Sequence, residues 1–161
     1  MAFSHRLVTD AAASGHPPDP APHWREQLLA QRNELRGDSF RDATVGLCAL
    51  VASAAGTADP AARMRVAQRL GAEVLLQHFP GEALRNLFED NCSRIAMDPA
   101  FGRAYVMQEI AGVTGNPAQA RAVVQLALLI GSAGSEFTAN ETLAVKEACQ
   151  VLYLDPQEFS L

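Results

Sequence analysis

Two stretches of this chain are apolar on nearly every side: Val45 to Ala52 and "VVQLALLI" from Val123 to Ile130. A helix without a polar face has no side to offer water, so both are expected to be central core helices. Short apolar runs also fit buried strands. The alanines, the flanking helical stripes and the lack of hairpin signals favour helix.

Elsewhere the apolar residues form single stripes at helical spacing. Trp24, Leu28 and Leu35 make one, with Gly37 as its expected stop. Met64, Ala67, Leu70, Gly71, Val74 and Leu75 make a second; Leu84, Leu87, Phe88, Cys92 and Ile95 a third; Phe101, Ala104, Tyr105 and Ile110 a fourth. Helix starts are marked by Asp59-Pro60, Asp98-Pro99, Asn116-Pro117 and Asp155-Pro156. In each, a side-chain oxygen can accept an orphan N–H, and proline at the first helical position forfeits no hydrogen bond. Thr138 with Glu141 reads as a capping box, and Asp155 with Glu158 as a second. The expected fold is all-α: a single compact bundle of about seven helices over residues 23–161. Residues 1–22 contain "GHPPDPAP" and no periodic apolar face, so they read as a Pro-rich tail, disordered or extended.

Shifting the chain by 79 positions lays "LCALVASAAGTADPAARMRV" from Leu47 over "LALLIGSAGSEFTANETLAV" from Leu126 without a gap. Leu47 meets Leu126, Leu50 meets Leu129, Ser53 meets Ser132, Val66 meets Val145, and the cap Asp59 meets the cap Thr138. Identity is low. The coincidence of buried helix, small-residue turn and cap predicts two helical hairpins related by a pseudo-twofold axis, with their buried helices packed together.

Composition narrows the class. Hydrophobic residues make up 48% and aromatics only 6%, which suits Ala- and Leu-rich helices better than sheets. A net charge of −5 argues against a nucleic-acid partner and an anionic membrane surface. Cys48, Cys92 and Cys149 form no CxxC pair and are expected as buried free thiols in a reducing compartment. No signal-peptide core and no apolar run of the ~20 residues needed to span a bilayer is seen, so the expected location is cytoplasmic.

The loop "AAGTADPAAR" with its preceding helix, and "GSAGSEFTANETLAVKEACQVLYLDPQEF" with its Asp-Pro-x-Glu-Phe ending, resemble the two halves of the tellurite-resistance TerB family. The resemblance spans about residues 40 to 161. It implies an all-α domain with internal pseudo-symmetry. It also implies acidic loop residues as divalent-cation ligands, since family members commonly carry Asp-Gly there. In this chain those places read Ala55-Gly56 and Gly134-Ser135. What remains is Asp59, Glu136 and Glu141. Calcium wants six to eight oxygens and magnesium a near-octahedral shell. The favoured reading is therefore a helix corner that has shed its charge. A divalent-cation sensor using those three acids is the alternative, and no other cofactor is expected.

No phosphate loop, nucleophile elbow or HExxH occurs, so the chain is not expected to be an enzyme. His5, His16, His23 and His78 give no zinc spacing; His78 reads as a favourable charge at a helix C-terminus. Glu82, Glu89 and Asp90 share one helical face with Asp98 nearby, which reads first as solvated surface and secondarily as a docking face for other proteins. The functional expectation is a non-enzymatic, protein-binding domain in tellurite, metal or envelope stress, as monomer or homodimer.

Overall fold

A computed structural model describes residues 21–54, 59–131 and 136–161. The expected tail lies almost wholly outside these residues, as do Gly56 and Gly134 at the centres of the two corner loops. Among the described residues seven α-helices run α1 Ala21–Ala30, α2 Asp38–Ser53, α3 Pro60–Ala72, α4 Gly81–Met97, α5 Pro99–Ala111, α6 Pro117–Gly131 and α7 Ala139–Val151. Short 3-10 turns cover Val74–Leu76 and Pro156–Phe159, and no strand occurs among the described residues.

The two all-apolar segments are indeed the interior. Leu47, Cys48, Ala49 and Leu50 of α2 and Val123, Val124, Leu126 and Ala127 of α6 are fully buried. Helix α2 is the hub, packing along α4, α5 and α6 and also touching α7. Burying Leu and Val side chains contributes roughly 1.5–3 kcal/mol each, which is why these nearly polar-free stretches win the centre.

The 79-residue shift holds in the helix bounds and in which helices touch. It carries α3, residues 60–72, onto the bounds of α7, 139–151, and α2 onto α6 to within one residue. It also carries α1 into α5, a pair the sequence comparison did not reveal. The packing is reciprocal: α2 lies against α6, while α2 touches α7 and α6 touches α3. Helix α4 has no counterpart among the described residues and fills the space beside α2, α3 and α5.

The caps form as the sequence predicts. Asp59 accepts from the Ala61 N–H, Asp98 from Phe101, Asn116 from Gln119 and Asp155 from Gln157. Thr138 and Glu141 form the reciprocal box, with the Glu141 N–H donating to Thr138 Oγ1 at 3.2 Å and the Thr138 N–H to Glu141 Oε1 at 2.9 Å. The second box does not form, because Glu158 is drawn off by Arg121 at 2.6 Å.

Four further expectations are corrected. Gly37 does not stop α1, which ends at Ala30; it stands before α2 with φ 94°, a conformation only glycine adopts cheaply. On α5 the buried face is Gly102, Val106 and Ile110, and Phe101 and Tyr105 face outward. Val74 and Leu75 belong to a 3-10 turn beyond α3, and Met64 and Val74 are exposed. His78, beyond that turn, is not a favoured cation: burial, then the nearby Arg36, lowers its pKa from 6.5, and its ring lies 4.0 Å from that of Phe79.

Candidate functional site

The first corner joins the end of α2 to the start of α3, and the second joins α6 to α7. Helix capping fixes the acids at both. Asp59 is exposed and turns Oδ1 onto the Ala61 N–H at 3.1 Å, where a carboxylate also suits the positive end of the helix. Glu141 folds back onto the Thr138 N–H. Glu136 precedes the cap and is exposed. Among the described residues, no three His, Cys, Asp or Glu side chains gather where they could hold a metal ion. Asp59, Glu136 and Glu141 are therefore not assembled as one ligand set.

The α4 acids are a mixed surface rather than an acidic one. Glu82 and Asp90 are exposed. Glu89 is bound to Arg63 of α3, Oε2 to Nη2, at 2.8 Å. Arg85 falls on the same side of the helix and reaches Gly71 and Gly81. Three successive turns of α4 thus alternate acid and base, and Glu89 serves the α3–α4 contact.

Beside the first corner the structure opens a cavity of about 290 Å3, lined by Ser53, Arg63, Cys92, Ile95, Ala96, Pro99 and Arg103. Four elements meet there: the end of α2, the first turns of α3 and α5, and the last turns of α4. Arg63 is tied to Glu89, and Arg103 to Glu147 of α7 at 2.8 Å. Burial pushes the Cys92 thiol up to about 11 against the pull of Arg63, so it stays protonated. Sequence reasoning missed this place, since two arginines 40 positions apart on polar helix faces look like solvated charges. Cys92 in the apolar stripe of α4 was the only signal.

A second feature is an exposed apolar strip. Met97 ends α4, Phe101 and Tyr105 continue on α5, and all three are exposed. The Phe101 and Tyr105 rings lie 6.4 Å apart, and the Arg94 guanidinium stacks 4.0 Å over Tyr105.

A sequence model of the family described as tellurite resistance protein TerB matches residues 41–161. The chain belongs to the TerB family. The match begins in α2 and runs to the last residue, so it takes in both hairpins and α4 between them. No curated protein and no solved structure matches the chain. Within the TerB domain no helix among the described residues is long and apolar enough to cross a membrane.

Proposed function

We propose that this TerB-family chain is a non-enzymatic domain that binds other proteins in a response to tellurite, metal or envelope stress. The observation that carries this reading is the strip of Met97, Phe101 and Tyr105. Folding has a cost for leaving such side chains wet, and apolar patches of this kind mark contact surfaces. Arg94 stacked on Tyr105 gives the strip the aromatic-and-arginine character of interface hot spots. The stress setting follows from the family description alone.

The test is affinity capture with the full chain, from cells grown with and without tellurite, beside a Phe101→Asp, Tyr105→Asp double variant. A partner held by the parent and lost by the variant supports the reading. Deleting residues 1–22, or Glu82→Lys with Asp90→Lys, shows whether the tail or the α4 face contributes. Identical capture profiles for all chains would remove the proposal.

The cation-sensor alternative rests on Asp59, Glu136 and Glu141. Two of those carboxylates already satisfy helix N-termini, which favours the protein-binding reading. Calorimetry with calcium decides between them.

A further inference from the structure

The cavity between α2, α3, α4 and α5 is lined by two arginines, each compensated by a glutamate lying outside the lining. Its walls present two guanidinium groups, Arg63 and Arg103, and no carboxylate among the described residues. Glu89 and Glu147, which pair with these arginines, are outside the lining. Each ion pair occupies one amino group, and a guanidinium carries five N–H donors in a planar fork. The glutamates thus hold the arginines in place, and Arg63 also hydrogen-bonds the Cys92 sulfur, yet neither glutamate takes up a whole fork. Fixing the donors beforehand spares a ligand the entropy of ordering them.

The rest of the wall is sorted by chemistry. The Ser53 hydroxyl and the protonated Cys92 thiol, hydrogen-bonded to each other, form a neutral polar edge, and Ile95, Ala96 and Pro99 supply an apolar side. A cavity of about 290 Å3 lies at the bottom of the range for small-molecule sites, roughly 300–1,000 Å3. The occupant that matches is planar, anionic, small and partly hydrocarbon. Guanidinium forks match carboxylates in two-point geometry. A bare inorganic oxyanion would leave Ile95, Ala96 and Pro99 against water.

We propose that this cavity binds a short-chain organic carboxylate, with Arg63 and Arg103 grasping the carboxylate and Ile95, Ala96 and Pro99 covering its hydrocarbon part. This stands on the cavity itself and is independent of the protein-binding strip on α4 and α5.

The experiment is a titration of the full chain with acetate, butyrate, succinate and inorganic phosphate at constant ionic strength, read by calorimetry and by amide shifts around Cys92 and Arg103. Butyrate or succinate is expected to saturate and to exceed both acetate and phosphate in affinity. Arg103→Gln is expected to weaken binding about tenfold or more, the loss of a charged contact. Ala96→Leu, at an exposed position on the cavity wall, is expected to block binding without changing any charge. Should Arg103→Gln fail to fold, Ala96→Leu carries the test by itself. Phosphate binding as tightly as the carboxylates would overturn the assignment. So would the absence of any saturable shift, or unchanged affinity in the variants.

Discussion

Gly102 of α5 lies directly on Ile95 of α4: a Cβ at residue 102 would stand 2.6 Å from the Ile95 Cα and 2.6 Å from the Arg94 carbonyl oxygen. Both are backbone atoms of a packed helix and cannot swing aside. In an open helix, replacing glycine by alanine gains about 0.5–1 kcal/mol. Here the sign reverses. Gly102→Ala should destabilise the domain by about 1–3 kcal/mol, the usual cost of overpacking. Urea unfolding measures it; an unchanged or raised midpoint would show that α5 can lift off α4 freely.

Glu73 is almost completely buried and is bound by Arg25 of α1 at 2.9 Å, while its Oε2 also faces the Leu75 N–H at 3.5 Å. Arg25 is about half exposed, so water screens part of the pair. Arg25→Ala leaves the carboxylate buried with the weaker contact. The expected loss is about 1–3 kcal/mol, below the ~3–5 of a fully buried pair. Amide exchange should accelerate first in α1, which otherwise touches the bundle mainly through α6.

At the second corner, Thr138→Ala removes the acceptor for the Glu141 N–H and undoes the capping box. A loss of about 1 kcal/mol is expected. Asp59→Ala at the first corner should cost a similar amount, because it too caps a helix, here one started by Pro60. Calcium calorimetry on the parent chain, Asp59→Ala and Glu136→Ala separates capping from ligation. Under the capping reading no heat appears, and only the melting temperatures move. A calcium heat abolished by both substitutions would establish the sensor.

All three thiols are free and buried. Burial raises Cys48 from 9.0 to about 12, and Cys92 and Cys149 to about 11. Above pH 9 the unfolded chain releases these protons while the folded one retains them, so folding loses ground as pH rises. Their contribution is complete below about pH 9 and disappears as pH climbs through 11 to 12. Melting temperature should therefore drop between pH 8.5 and 10.5, with a shallower drop in Cys48→Ala. Thiol reagents at pH 8 should label the folded chain far more slowly than the urea-unfolded one.

How much of this was written in the residues depends on whether the signal was local. Asp-Pro and Thr-x-x-Glu act through their own turn, so they could be read directly, and the bounds of α3, α5, α6 and α7 follow from them. The apolar runs at Leu47 and Leu126 could only be interior, and the shift of 79 put them side by side. The α5 face was misread because Gly102, the residue that decides it, carries no side chain and therefore no hydrophobic signal. Phe101 and Tyr105 supplied a false one. Partners across the fold were equally silent. Nothing near Glu158 announces Arg121, nothing near Glu89 announces Arg63, and the cavity that Arg63 borders exists only once four helices converge.

The crossed contacts of α2 with α7 and α6 with α3 mean that neither half owns a complete interior. Severing the backbone between Gln77 and Pro80 would interrupt the covalent path without separating the two pieces, because each supplies the floor on which the other rests. The domain is thus mechanically a clasped pair that happens to be tethered, and its integrity resides in mutual engagement more than in the continuity of the strand.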